Sequence, residues 1–256
     1  MNKKYLIGGG LVAVVVVAVA VWFLFLKDDA PDAVDVGSAN DQLTEDLAEA
    51  ESDAEVDTEE DTDAVVEVTV PEGIDGTWTI DDEIGSFDFE TASGSFAGFR
   101  VAEELTVGSV TAVGRSGEVA GSVTIADGTL TGAEVTVDMT TIESNDGRRE
   151  NAIRRAISAT DFPEASFAFD GGVDVSSIGV GGVAQSFEIE GDLTVAGVTN
   201  PVTFMIDANV RDDGFAVIVG STEITWLDFG VTPPSAAIVV SVADEGTVEF
   251  QLIAAR

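Results

Sequence analysis

The sequence contains no cysteine and no histidine among its 256 residues. Without cysteine, the chain can form no disulfide, no thiol nucleophile and no thiolate metal site. Without histidine, it lacks the commonest general base and metal ligand, and it cannot form a serine–histidine–aspartate triad. It also has no nucleophile elbow and no phosphate-binding loop motif. These absences predict a protein that is not an enzyme and that uses no metal or other cofactor.

Basic residues are also scarce, since 11 Lys and Arg stand against 48 Asp and Glu, for a formal net charge of −37. A partner with a phosphate backbone requires a basic surface, so this balance excludes nucleic acid. Hydrophobic residues nevertheless make up 45% of the chain. The acidic and the apolar residues must therefore be concentrated in different segments.

The first of these segments is an uncharged run of 22 residues from Tyr5 to Leu26. About 20 apolar residues are needed for a helix that crosses the hydrocarbon core of a bilayer. Lysines precede the run and aspartates follow it, so the positive-inside rule places the N-terminus in the cytoplasm. We therefore predict that residues 1–27 are a single-pass transmembrane helix in the cell membrane, with the remaining chain extracytoplasmic.

A cleaved signal peptide is the alternative interpretation of this run. Ala18-Val19-Ala20 has the small-x-small pattern that a signal peptidase accepts. The apolar run, however, continues through Trp22 to Leu26, beyond that site. This extension favours an uncleaved anchor.

Residues 28–72 carry 18 Asp and Glu and no Lys or Arg. Few aromatic or large aliphatic residues interrupt this stretch, so it has little apolar surface with which to offset the entropy of ordering. We predict a disordered acidic linker. A flexible chain of that length has a root-mean-square span of roughly 35–40 Å.

Residues 73–256 are expected to form one domain in which apolar residues alternate with polar ones. Val119 to Ile125 and Ala133 to Met139 are two such runs, and Asp127-Gly128, a strong hairpin signal, lies between them. Similar runs surround the following positions: Trp78–Ile80, Phe87–Phe89, Phe99–Val101, Phe167–Phe169, Phe187–Val195, Val202–Val210, Phe215–Val219 and Val248–Ala254. About eight antiparallel strands of this kind predict an all-β domain, either a barrel or a sandwich.

One stretch departs from the alternation and reads as a short helix from Asp146 to Ile157. Asp146 is a suitable N-cap, and Glu150 and Arg154 are spaced as an i,i+4 ion pair. Ala152, Ile153, Ala156 and Ile157 share one face at helical spacing. Half of the domain's eight arginines lie within residues 148–155. We expect an amphipathic helix that is a local cationic spot on an acidic body.

Four further motifs stand out in this domain: Gly76-Thr77-Trp78-Thr79-Ile80-Asp81, the Gly147-Arg148-Arg149-Glu150 helix start, the Asp161-Phe162-Pro163 corner, and the strand end from Gly191 to Thr199. Taken together, they resemble the motifs of the YceI-like polyisoprenoid-binding family. The segment from Asp228 to Ser235 is similar to one in exported, membrane-tethered members. The resemblance extends from about Gly76 to the C-terminus. It implies an antiparallel, eight-stranded lipocalin-like barrel with one short helix.

The resemblance also implies non-catalytic binding of a polyisoprenoid or other long-chain lipid in the barrel lumen. The side chains that we expect to line it are Phe87, Phe89, Phe99, Val135, Val137, Phe167, Phe169, Phe204, Phe215 and Trp226. From residue types alone, an ordinary filled core is the favoured interpretation of these side chains, and the resemblance reverses this preference for the set as a whole. A filled-core domain acting in envelope protein contacts or stress tolerance is therefore the alternative.

Arginines near the helix start are the candidates for binding a lipid headgroup, because a guanidinium group binds phosphate oxygens in bidentate fashion. The candidates are Arg148, Arg149 and Arg155. The alternative is that these side chains form a solvated face and pair with the abundant carboxylates. A homodimer is possible, and the sequence offers no specific evidence for one.

Overall fold

The computed structural model describes residues 29–54, 73–80 and 83–256. Within these ranges, no helix is both long and apolar enough to cross a membrane. The predicted anchor at residues 1–27 lies outside the described residues, as do residues 28 and 55–72 of the predicted linker.

A single antiparallel sheet contains the strands of the described chain. The strands are β1 (Gly76–Ile80), β2 (Phe96–Leu105), β3 (Gly108–Ser116), β4 (Val119–Ala126), β5 (Thr129–Asp138), β6 (Glu143–Ser144), β7 (Glu164–Asp174), β8 (Gln185–Val195), β9 (Val198–Val210), β10 (Ala216–Thr225), β11 (Val239–Val242) and β12 (Glu245–Ala255). Two helices accompany them, α1 (Val36–Ala54) and α2 (Gly147–Ala156). Met139–Thr141 and Trp226–Phe229 form single 3₁₀ turns.

Eight strands close into a barrel in the order β1-β4-β5-β7-β8-β9-β10-β12, with β12 pairing back to β1. This confirms the eight-stranded antiparallel barrel. β12 pairs with β10 along its whole length, and its other edge is shared by β1 and β2. β3 continues the sheet beyond β2, and β6 pairs with β3. The short β11 covers part of the free edge of β2.

The predicted hairpin at Asp127-Gly128 joins β4 to β5 by a two-residue turn. Both turn residues have positive φ, 51° for Asp127 and 69° for Gly128. A two-residue turn of this kind matches the right-handed twist of the strands that it joins. The hairpin prediction is therefore confirmed, and Ala126 lies opposite Thr129 in the structure.

The predicted helix is also confirmed, since α2 begins directly after Asp146 and ends before Ile157. The Asp146 carboxylate accepts a hydrogen bond from the Arg148 backbone N–H at 3.0 Å and so caps the first turn. Arg154 lies 3.6 Å from Glu150, as their spacing predicts. Ile153 is buried beneath the helix.

The strand expected around Phe87 and Phe89 is wrong, because both residues lie in the irregular loop between β1 and β2. The Asp88 carboxylate accepts hydrogen bonds from the backbone N–H groups of Glu90 and Thr91, at 2.9 and 3.2 Å. An aspartate that binds the backbone two and three residues ahead stabilises a turn rather than an extended strand. The alternating aromatic residues therefore give a misleading signal here.

The prediction of a disordered linker over residues 28–72 is wrong for the part that the structure describes, because Val36–Ala54 forms α1. One face of α1 packs on the outer surface of the barrel, where Ala39 and Leu43 are fully buried. They contact Val217, Val219 and Ile253 of β10 and β12. Although the segment is acidic overall, it contains a short apolar stripe at helical spacing. Burial of this stripe against the barrel offsets the entropy that is lost when the helix becomes ordered.

Polar contacts fix the rest of this segment to the barrel wall. The backbone carbonyls of Pro31 and Asp32 accept hydrogen bonds from Arg100, at 2.6 and 3.1 Å. Arg115 donates to the Asp32 carbonyl at 2.8 Å. Near the middle of the segment, the side-chain amides of Asn40 and Asn209 pair at 2.9 Å. Residues 29–54 therefore form an ordered strap along the outside of the barrel.

The strap leads to a prediction about Leu43, whose side chain is fully buried between α1 and β10. Leu43→Asp places an unpaired carboxylate in this apolar contact, so we expect α1 to detach while the barrel remains folded. Hydrogen exchange should show loss of protection confined to residues 36–54. Ala48→Asp, at an exposed position of the same helix, is the matched control. Unchanged protection in Leu43→Asp would contradict the packing described here.

Candidate functional site

A cavity of about 480 Å³ occupies the interior of the barrel. Side chains from seven of the eight barrel strands line the cavity, and β1 is the exception. Along these strands, residues that face the cavity alternate with residues that face outwards, as the two-residue period of a strand requires. On β12, for example, Val248, Phe250 and Leu252 line the cavity. The volume lies within the 300–1,000 Å³ that small-molecule sites commonly have. The barrel therefore encloses an apolar hollow.

Three phenylalanines pack against one another on the wall of the cavity. Phe204 contacts both Phe167 and Phe250, with ring centroids 5.2 Å apart in each pair. Tilted and edge-on arrangements of this kind are the favourable geometries for aromatic rings. Phe204 is only 1% exposed, which makes it the most deeply buried of the three. The cluster gives this part of the wall a fixed shape.

Glycines on neighbouring strands make room for two of these rings. A Cβ atom at Gly191 would stand 2.5 Å from the Phe167 ring, and one at Gly220 would stand 2.3 Å from the Phe250 ring. Both distances are far below van der Waals contact, so no larger residue fits without displacing the ring. The glycines therefore allow the two rings to lie close against the backbone of the neighbouring strands.

The two ends of the barrel differ. At one end, a buried cluster that includes Trp78, Leu130 and Val175 covers the cavity, which Leu130 and Val175 also line, and we call this the closed end. The other, which we call the mouth end, has α2 and the segment 233–242 beside it, and residues of both line the cavity. Arg148 lines the cavity and its side chain is 81% exposed. The hollow therefore reaches solvent at the mouth end.

Charged groups that line the cavity near the mouth end form ion pairs. Arg149 donates two hydrogen bonds to one carboxylate oxygen of Glu103, at 2.9 and 3.1 Å. Arg148 binds the Asp146 carboxylate at 2.7 Å. The hydrogen bond from the Arg148 side chain lowers the pKa of Asp146, and the same bond raises the pKa of Arg148. The mouth therefore carries a collar of paired charges beside an otherwise apolar wall.

Six of the ten predicted lumen residues line this one cavity. They are Phe99, Val135, Val137, Phe167, Phe204 and Trp226. Phe99 and Trp226 lie near the mouth end, with ring centroids 5.6 Å apart in an edge-on arrangement. Their contact with a lipid stays a prediction, whereas their position on the cavity wall is observed.

Four predicted lumen residues lie elsewhere. Phe215 packs outside the barrel beneath α1, because β10 is apolar on both faces and its outer face is covered by that helix. Phe169 packs into the cluster at the closed end. Phe87 and Phe89 lie in the loop between β1 and β2, where the Phe87 and Phe96 rings are 6.4 Å apart. These four are corrections to the predicted lumen.

Two of the three headgroup candidates, Arg148 and Arg149, lie at the mouth of the cavity. Arg155 lies on the exposed side of α2 and is not among the residues that line it. Both mouth arginines are bound to carboxylates, as the alternative interpretation of these residues expects. A phosphate group at the mouth would have to compete with Glu103 and Asp146 for them.

Some residues of the site were not predicted. The sequence does contain a signal for Phe250, because its spacing from Val248 and Leu252 places the three side chains on one face of the last strand. Glu103 had one as well, since it is a charge at an inward position between Val101 and Leu105 of β2. The segment 233–242 has no periodic pattern, so its place beside the cavity could be found only from the folded chain.

Residues 78–254 match the model of the YceI-like domain family. No curated protein matches the chain. Among solved structures, a polyisoprenoid-binding domain from Saccharophagus degradans, implicated in plant cell wall breakdown, has a TM-score of 0.52 at 12% identity; the match covers 70% of this chain and 97% of that one. At this identity, the likeness shows a shared fold.

Two further structures are more distant. BcnA of Burkholderia cenocepacia has a TM-score of 0.46 at 18% identity, over 62% of this chain and 95% of that one. The YCEI protein of Campylobacter jejuni has a TM-score of 0.44 at 13% identity, over 55% of this chain and 82% of that one.

Proposed function

The chain belongs to the YceI-like domain family, and we propose that it binds a long apolar lipid of the polyisoprenoid type, without catalysis, in the barrel cavity. The observation that carries the proposal is the 480 Å³ hollow with its almost entirely apolar wall. A hydrocarbon chain has no hydrogen-bonding groups, so burial of its surface must supply the affinity. Each 100 Å² buried contributes roughly 2.5 kcal/mol before the costs of association.

The hollow also argues against the filled-core alternative, in which the same side chains would occupy the whole interior. Close packing leaves few voids larger than a water molecule in an ordinary protein core. A cavity of this size, open at one end and lined by Phe99, Phe167 and Phe204, is better suited to a ligand. The S. degradans domain, which has the same fold, is described as polyisoprenoid-binding.

The proposed absence of catalysis is supported by the state of the carboxylates on the cavity wall. Glu103, Asp146 and Glu249 are each held in an ion pair with an arginine. A general acid requires a pKa raised towards neutrality, whereas the pKa of Asp146 is lowered by its arginine partner. The proposed role of the collar is to meet the polar end of a lipid.

We further propose that the protein is tethered to the cell membrane by residues 1–27, with the barrel outside the cytoplasm. The support is the uncharged run from Tyr5 to Leu26 and the lysines that precede it. A tether of this kind keeps the binding cavity close to the membrane in which such lipids reside.

The direct test is to purify the full-length chain, extract it with organic solvent and identify the extract by mass spectrometry. We expect a long-chain apolar lipid to be recovered. Repeated recovery of no lipid, together with no uptake of an apolar fluorescent probe, would favour the filled-core alternative.

A substitution that narrows the cavity gives a second test. Val135 lines the cavity, whereas its neighbour Thr136 is exposed on the outside of β5. Val135→Trp should weaken probe uptake about tenfold, since that factor corresponds to losing about 60 Å² of apolar contact at roughly 25 cal/mol per Å². Thr136→Trp should leave uptake unchanged. Equal effects of the two substitutions would show that the probe binds outside the barrel.

A further inference from the structure

The strap runs along the barrel in a defined direction. Its first residues, Pro31 and Asp32, are bound by Arg100 and Arg115 on β2 and β3. Further along, Thr44 accepts a hydrogen bond from Arg211, which directly follows the closed-end terminus of β9. The strap therefore leads from the mouth half of the barrel towards the closed end. The start of the described strap therefore lies on the mouth half of the barrel.

The start of the strap can be placed along the length of the barrel from its contacts with β2. Leu26 and Pro31 are five residues apart, so they are separated by at most about 18 Å. Arg100, which binds Pro31, is five residues from Leu105 at the mouth end, a distance of about 17 Å along the strand. The strand residue paired with Arg100, Thr247, is seven residues from Ala254 at the closed end, or about 24 Å. Pro31 is therefore held nearer to the mouth end of the barrel than to the closed end.

Exposed apolar side chains are concentrated at the mouth end of the barrel. Among the described residues, eight large hydrophobic side chains are exposed, and six of them lie in turns or segments at the mouth end. These six, which we call the apolar rim, are Val107, Phe162, Val198, Leu227, Ile238 and Val240. Of the other two, Val183 lies at the closed end and Met205 lies mid-strand on the outer wall.

The residues of the apolar rim come from four separate parts of the chain. Val107 lies between β2 and β3, Phe162 lies between α2 and β7, and Val198 starts β9. Leu227 and Ile238 lie between β10 and β11, and Val240 lies within β11. Leu227 and Val240 are 63% and 64% exposed. A concentration of exposed apolar side chains at one end of a domain points to an interaction site at that end.

The charges beside the apolar rim suit the interfacial region of a bilayer. Arg148 and Arg155 are exposed on α2, and long cationic side chains at this depth can keep their charge in the headgroup layer. Asp161 and Asp228 are exposed there too, so attraction to anionic lipid alone is not the basis of the contact. The apolar side chains of the rim have to supply the binding energy of this contact.

We propose that the apolar rim rests in the interface of the bilayer that holds residues 1–27, so that the mouth of the cavity opens onto the membrane. The proposal rests on the proposed lipid-binding function and adds the route by which lipid enters. A lipid tail then passes from the hydrocarbon core into the cavity past α2 and the segment 233–242, without crossing water.

Because the natural chain has no cysteine, single cysteines can report the position of each end of the barrel. Leu227→Cys and Val240→Cys probe the rim, and Val183→Cys, 78% exposed at the closed end, is the matched control. Each full-length variant is labelled with an environment-sensitive fluorophore and reconstituted in phosphatidylcholine vesicles that contain spin-labelled lipid. We expect quenching by the lipid to be at least threefold stronger at 227 and 240 than at 183.

Three results would overturn the proposal: equal quenching at all three sites, stronger quenching at 183, or rim quenching that disappears when the protein is diluted in the vesicles. The last would place a second copy of the chain, rather than lipid, on the rim. The lipid bound to each purified variant is measured by mass spectrometry before reconstitution. Bound lipid without rim quenching would overturn the orientation alone. Rim quenching without bound lipid would support the membrane contact and contradict the proposed function.

Discussion

Replacing Glu249 with leucine is expected to lower the free energy of unfolding by about 3–5 kcal/mol. Glu249 is 1% exposed and lies between two arginines. Its carboxylate accepts a hydrogen bond from Arg115 at 2.8 Å and another from Arg100 at 3.2 Å. The substitution leaves the buried Arg115 guanidinium without a counter-ion, and an uncompensated buried charge is far more costly than the loss of an exposed ion pair.

The matched control is Glu245→Leu, which removes an exposed carboxylate from the first position of the same strand. We expect a change of no more than about 0.5 kcal/mol. The double substitution Arg115→Met with Glu249→Leu removes both buried charges and should recover most of the stability. Denaturant titration of the full-length proteins measures all three. A single Glu249→Leu variant within 1 kcal/mol of the natural protein would show that Arg115 is compensated by other groups.

The same substitution should also loosen the strap. Arg100 and Arg115 both bind Glu249 and both hold backbone carbonyls at the start of the strap. Glu249 therefore orients the two side chains that position Pro31 and Asp32. Loss of this carboxylate is expected to affect the place at which the N-terminal chain leaves the barrel as well as the stability of the fold.

The barrel could be predicted from sequence because its strands carry their information locally. Alternation in β4 and β5 and the Asp127-Gly128 turn between them specify both faces and the register. α2 was predictable for the same reason, since its cap, its ion pair and its apolar face lie within twelve residues. Local patterns of this kind need no knowledge of the rest of the chain.

α1 could not be predicted from composition, which averages its residues with the acidic chain around it. Val36, Ala39, Leu43 and Leu47 recur at helical spacing, and this periodicity was the signal that composition hides. The helix is also stabilised by its position on β10 and β12. A marginal amphipathic segment folds because a complementary surface exists, and that surface is assembled from distant parts of the chain.

Phe215 shows the limit of the period-two argument. β10 carries apolar side chains on both faces, with Ile218 turned towards the cavity and Val217 and Val219 turned towards α1. Alternation identifies two faces but does not say which is inside when both are buried. The buried Glu249 is a further case, because Arg115 is 134 residues away and no local pattern links the two.

Replacing Phe204 with aspartate is expected to abolish either folding or lipid uptake. Phe204 is 1% exposed and lies between Phe167 and Phe250 on the cavity wall. Loss of the ring alone costs about 3–5 kcal/mol. The carboxylate adds the cost of an ionised or unpaired polar group among aromatic side chains. A variant that does fold would present this group to any hydrocarbon in the cavity.

The matched control is Met205→Asp, one residue further along β9 with its side chain exposed on the outer wall. It introduces the same charge at the same level of the barrel, so a general effect of added acidity would appear equally in both variants. Circular dichroism and denaturant titration report folding, and uptake of an apolar fluorescent probe reports the cavity. Phe204 and Met205 lie on opposite faces of one strand. Comparing the two variants therefore distinguishes an effect on the cavity from an effect on the outer surface. If Phe204→Asp folds and takes up the probe as well as Met205→Asp does, the lipid site is not the interior of the barrel.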